Sequence, residues 1–177
     1  MSEMKRYSTM LVLLHWVLAI FILGAIFMGA IVLDEMENDH PQKILLLKTH
    51  ILVGVGILIL TVYRLYVRYT KPQPAPVVSD KPVMDKIAKG IHHLLYLLTI
   101  LTVLAGVTLA VSADLPAVLF KHVGELPKDY EEYLSHEAHG IFANLLFFTI
   151  LLHAAAALYH QFILKDSLLS RMSLHKE

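Results

Sequence analysis

The chain has 177 residues, of which 56% are apolar and only 17% charged, and its mean hydropathy is +0.61. A soluble domain carries about 25% charged residues, so a multidomain soluble enzyme is excluded and the apolar surplus points into a membrane. Lys and Arg balance Asp and Glu at 15 each, and the absence of cysteine removes disulfides, thiolate zinc sites, iron-sulfur clusters and thiol nucleophiles.

About 20 helical residues cross ~30 Å of hydrocarbon. A cationic start, Lys5 and Arg6, precedes an apolar run from Met10 to Leu33 in which only His15 is clearly polar. That run exceeds the 7–15-residue core of a secretion signal and has no small-x-small cleavage site, so it reads as a retained first helix, about 10–33. An acidic turn from Asp34 to His40 with Pro41 leads to a second helix, about 44–67. Pro72, Pro74, Pro76 and Pro82 mark a linker. The third helix is expected at about 87–111, and a polar connection holding Pro116 and Pro127 leads to the fourth, about 137–164. The expected fold is all-α: one membrane domain over residues 1–177, a four-helix bundle running up-down-up-down.

Orientation follows from Lys and Arg beside the helix ends. Lys5, Arg6, Arg64, Arg68, Lys71, Lys81, Lys86, Lys89, Lys165, Arg171 and Lys176 lie on one side, against Lys43, Lys48, Lys121 and Lys128 on the other. Both termini are therefore expected in the cytoplasm. Acids split the opposite way, so the formal balance is +6 inside and −6 outside.

Eleven histidines are many for this length, and several interrupt apolar runs. An ionisable residue inside a membrane is costly and marks function. His139 and His153 are 14 residues apart on the fourth helix, ~21 Å of rise and nearly whole turns, so both rings share a face near opposite membrane boundaries. His160 extends the row by ~10 Å. On the other helices His15 and His92 lie near the inner boundary and His50 near the outer one. A lone buried histidine is more often a packing residue; two on one face, with candidate partners at both depths, point to ligands. Zinc prefers four ligands, usually with thiolate or carboxylate, and no intramembrane carboxylate accompanies these residues. Bis-imidazole haem fits better. Gly54, four residues after His50, and the run Ala154 to Ala157 leave room for a porphyrin, and Arg64 and Arg68 suit its propionates. On depth alone, His15 and His92 both remain candidates opposite His153.

Leu14-His15-Trp16, His50 with Gly54, His92-x-x-x-Tyr96, His139 with Ala143-Asn144, His153-Ala-Ala-Ala-Ala-Leu158 and the closing Lys165-Asp166, Leu168-Leu169 and Arg171-Met172 together resemble the bacterial cytochrome b561 family of di-haem membrane proteins. The resemblance covers nearly the whole chain, the outer connection Ser112 to Ser135 excepted. The four-helix layout is also similar to the cytochrome b subunits of nickel-iron hydrogenases and formate dehydrogenases. The resemblance implies two haem b groups, one iron held by His15 and His153 and the other by His50 and His139, with His92 beside the inner haem or its propionates. It also implies oxidation of periplasmic superoxide to O₂ and reduction of ubiquinone.

Superoxide is an anion and the outer face is net negative, so a local funnel of Lys43, Lys48, Lys121 and His122 would have to guide it, which screening beyond ~8 Å permits. His160, just beyond His153, is the candidate quinone contact or proton donor, its alternative being a hydrogen bond to lipid headgroups. A second expectation is an electron-transfer subunit that docks a periplasmic redox partner and feeds the quinone pool. No nucleic-acid partner is expected.

Overall fold

The computed structural model describes residues 6–75, 82–166 and 168–174; Lys5, Pro76, Lys81, His175 and Lys176 lie outside them. Among the described residues four helices are long and apolar enough to cross a membrane: Thr9–Leu33, Lys43–Thr70, Val83–Ser112 and Leu134–Leu164. Hydrocarbon offers no hydrogen bonds, so apolar segments satisfy their own backbone as helices. Polar side chains within them do likewise: the hydroxyls of Thr99, Thr102 and Thr149 donate to the carbonyls of Leu95, Leu98 and Leu145.

Helix α1 (Thr9–Phe27) begins at Ser8, whose hydroxyl accepts from the Leu11 N–H, and runs on into a π-helical turn, Met28–Leu33. Helix α2 is Lys43–Thr70. Helix α3, Pro82–Ser112, begins well before Ile87 because Asp85, Lys86 and Lys89 are polar yet helix-compatible and proline is favoured in a first turn. Helix α4, Leu134–Tyr159, continues as a π-helical turn, His160–Leu164, and the described chain closes with a short 3₁₀ helix, Leu168–Met172.

The helices alternate in direction, α3 packing most extensively on α4, α1 on α2 and α2 on α3. The end carrying the α1–α2 and α3–α4 connections is termed outer, the end carrying the termini inner. Large apolar side chains such as Ile20, Phe27, Ile59 and Phe148 point away from the bundle, as lipid contact requires. At the inner end Leu11, Leu14 and Val67 form a small core with Tyr7 and Leu60.

The outer end is more elaborately built. Its α3–α4 connection folds back as a π-helical turn, Ala117–Lys121, ended by His122 in the left-handed region (φ 57°). Leu119, 0% exposed, joins Ala110, Ala113 and Leu115 in a core that also receives Leu47, Ile51 and Tyr130. The Asn38 side-chain amide ties the two outer connections together by donating to the Pro127 carbonyl at 2.7 Å.

Lys43 requires a correction. Rather than joining a cationic funnel, it is 5% exposed and its ammonium donates to the carbonyls of Leu33 and Met36, both at 2.6 Å. The Leu33 carbonyl at the helix end has no partner within the helix and the Met36 carbonyl lies in the turn beyond it; the first residue of α2 is placed to supply both.

Candidate functional site

Two histidine pairs lie at opposite ends of the bundle. In the outer pair, His50 on α2 faces His139 on α4 with ring centroids 6.1 Å apart and planes at 80°. His139 Nδ1 is 2.8 Å from the Thr102 carbonyl on α3. A carbonyl only accepts, so Nδ1 carries the proton and donates, which leaves the Nε2 lone pair available to a metal. The His50 Nδ1 is buried without a protein partner. Glycines set the clearances: a Cβ on Gly106 would lie 2.9 Å from both Cε1 and Nδ1 of His139, and one on Gly29 would lie 3.4 Å from Cε1 of His50. At Gly54 a Cβ would meet nothing within 4 Å.

At the inner end His15 on α1 and His153 on α4 have ring centroids 6.3 Å apart at 74°, and His92 on α3 approaches His153 more closely, at 5.3 Å. The Arg64 guanidinium lies 5.4 Å from the centroid of the Tyr96 ring, and both Arg64 Nε and the Tyr96 hydroxyl are buried without a partner. Next to His15, Trp16 sets its ring 5.2 Å away and its indole N–H donates to the Met172 carbonyl at 3.0 Å, which ties the chain's closing segment to α1.

The pairs can be tested against the group they would bind. Two imidazoles on opposite sides of one metal, each nitrogen bonded at ~2 Å, have ring centroids about 6 Å apart. His15–His153 and His50–His139 meet that separation at 6.3 and 6.1 Å, whereas His92–His153 at 5.3 Å is short of it. Among the described residues no three or more of His, Cys, Asp and Glu converge as metal ligands, so the ligand chemistry present is that of imidazole pairs. These residues fit a bis-histidine haem.

The remaining candidates are less concentrated. The Lys48 ammonium sits 4.9 Å from the Phe120 ring centroid, so it is held against the outer π turn, where Lys121 and His122 are exposed. Below that turn the Tyr130 hydroxyl is buried without a partner, and burial followed by neighbouring Tyr133 pushes its pKa up. His93 turns away from the bundle to the Lys89 carbonyl. At the inner extreme His160 Nδ1 lies 2.5 Å from Asp166 Oδ2, while Asp166 Oδ1 accepts from the Leu168 N–H at 3.1 Å. Burial raises the Asp166 carboxyl, but the hydrogen bonds from His160 and Leu168 outweigh it and hold the group below the ordinary carboxylate range.

Sequence reasoning missed Gly29, Gly106 and Thr102. The available signal was Gly106, the glycine within the apolar half of α3, where a small residue marks a close approach. The partner approaching it was not legible.

The profile of the prokaryotic cytochrome b561 family matches residues 6–173. The chain is 28% identical to a cytochrome b562 of Cereibacter sphaeroides, over 97% of this chain and 98% of the relative. It is 30% identical to cytochrome b561 homolog 1 of Escherichia coli, over 96% and 97%. It is also 28% identical to a probable superoxide oxidase, CybB, of Yersinia pestis, over 95% and 96%.

Proposed function

Because the chain belongs to the prokaryotic cytochrome b561 family, a family of multi-pass bacterial membrane proteins that bind b-type haem and carry electrons across the membrane, we propose that it holds two haems and passes electrons from superoxide to ubiquinone. His50 and His139 take the outer haem, His15 and His153 the inner one. A single observation carries this reading: two imidazole pairs, each about 6 Å between centroids, stand at the two ends of one helix bundle.

Haem supplies a one-electron carrier at each end. The chain supplies the rest. His139, oriented through the Thr102 carbonyl, and the clearance at Gly106 fix the outer ligand. Arg64 and Tyr96 offer buried donors to inner propionates, and His92 fills the space beside His153. Lys48 and Lys121 present cations to an approaching anion. Two superoxide ions each lose one electron and leave as O₂; those two electrons and two protons convert one ubiquinone to ubiquinol at the inner end, where His160 donates protons. Positive residues clustered at the inner end support cytoplasmic termini and an inner-membrane location.

The acids of the outer connections favour a second reading, in which a cationic periplasmic protein docks there as donor. Stopped-flow mixing of the purified haem-loaded protein with a superoxide source decides between them. Haem reduction abolished by a dismutase supports superoxide as donor; reduction unaffected by dismutase favours the docked partner.

A further inference from the structure

The closing 3₁₀ helix, Leu168–Met172, is five residues long yet is tied to the inner ends of three helices. The Tyr7 N–H, just ahead of α1, donates to the Arg171 carbonyl at 3.3 Å, and the Trp16 indole N–H, within α1, donates to the Met172 carbonyl at 3.0 Å. Beyond α2 the Ala75 carbonyl accepts from the Arg171 guanidinium at 2.8 Å. The segment's own start is held to the end of α4, because the Leu168 N–H donates to the Asp166 carboxylate at 3.1 Å.

One of these bonds bears on a histidine of the inner pair. Trp16 follows His15 on α1, and the two rings meet edge to face with centroids 5.2 Å apart and planes at 70°. Sequence neighbours sit ~100° apart around a helix, so the indole stays against the imidazole only if something holds it there. Trp16 is 44% exposed, and packing alone does not hold it. The Met172 carbonyl, 156 residues away in sequence, does. An indole has one N–H donor and no acceptor, so this single bond fixes the direction in which the ring lies. With the indole fixed, the His15 imidazole is walled on that side, and its plane stands at 74° to that of His153. His139 of the outer pair is oriented differently, by the Thr102 carbonyl.

We propose that Trp16 is a positioning residue for the inner haem ligand: anchored on the Met172 carbonyl, it sets the plane of the His15 imidazole, and the closing segment is the strap that keeps it in place. The proposal rests on the reading that His15 and His153 bind the inner haem. Contacts that orient a ligating imidazole tune the metal it binds. In a low-spin bis-imidazole haem the angle between the imidazole planes also governs the EPR signal, near-perpendicular planes giving the large-g form and more nearly parallel planes a rhombic form at lower g.

Two full-length variants separate the parts of this proposal. Trp16→Phe keeps an aromatic ring beside His15 and removes the N–H; Arg171→Leu leaves Trp16 intact and loosens the strap by removing its bond to Ala75. Wild type, both variants and the double variant are loaded with haem and compared by haem per chain, EPR of the oxidised protein and redox titration. Both single variants are expected to keep two haems per chain. In Trp16→Phe the inner half of the large-g amplitude should move to lower g and one of the two midpoint potentials should shift, while the outer half and the other potential stay as in wild type. Arg171→Leu should move the same half in the same direction by less, and the double variant should match Trp16→Phe alone, because the strap acts through the indole.

Should Arg171→Leu fail to fold, Trp16→Phe carries the test. A lowered Tm with an unmoved EPR signal in Trp16→Phe would mean that the bond only docks the segment, and this overturns the proposal. Equal shifts of both haems overturn it too, as does a double variant that moves further than Trp16→Phe. Wild-type protein with a single haem per chain contradicts the ligand reading itself and removes the proposal with it.

Discussion

The outer and inner histidine pairs have nearly the same spacing but are held by different means. The outer pair is fixed by backbone: the Thr102 carbonyl orients His139, Gly106 and Gly29 set how closely the rings can be approached, and the Leu119 core with the Lys43 staple clamps the ends of the helices around it. The inner pair is surrounded by side chains instead, with His92 against His153, Arg64 over Tyr96 and the closing segment tied to α1 through Trp16. An end set by backbone and glycine resists adjustment, so its ligand geometry is built in. An end set by charges can tune a cofactor and handle protons, as the proposed quinone reduction at that end would require.

Replacement of ligands breaks this comparison most severely. His50→Ala or His139→Ala should remove one haem and spare the other, and His15→Ala or His153→Ala should do the reverse, as read from haem per chain and two-component redox titration. Gly106→Val comes next: a side chain placed 2.9 Å from the His139 ring must displace it, so the outer haem should be lost selectively while the inner spectrum persists. Equal loss of both haems would show that the two ends are not independently built.

Lys43→Met leaves the carbonyls of Leu33 at the helix end and Met36 in the turn beyond it without their charged donor and should destabilise the protein by about 2–4 kcal/mol, measurable as a lowered Tm in detergent with outer haem released first. Lys48→Gln combined with Lys121→Gln should slow reduction by superoxide by about two- to five-fold at low salt and flatten its dependence on ionic strength, leaving reoxidation by ubiquinone unchanged. The smallest effect is expected from His92→Ala, which should retain both haems and shift only the inner midpoint potential. Loss of the inner haem in that variant would assign the ligand to His92 in place of His15.

Much of this architecture was legible in the chain because lipid imposes simple rules. Four long apolar runs and the shared face of His139 and His153 follow from hydropathy and a 3.6-residue period. Lys43 was misread because its position at a helix start suggests an exposed outer cation, whereas its destination depends on where the preceding helix ends. Charge patterns locate residues along the membrane normal; they do not reveal which backbone groups lack partners. Gly106 and Thr102 matter only through the register of α3 against α4, a long-range property that no local pattern encodes. The outer connection was opaque for the same reason: the burial of Leu119 depends on α2 and α3 being already in place.

The central claim is that one chain carries two independently ligated haems, one at each end of the bundle. The most direct test is the haem-to-protein ratio of the purified chain combined with its low-temperature spectrum. The account predicts two non-covalent b haems per chain, both low-spin with two imidazole ligands; a single haem per chain, or a high-spin component of equal weight, would contradict it.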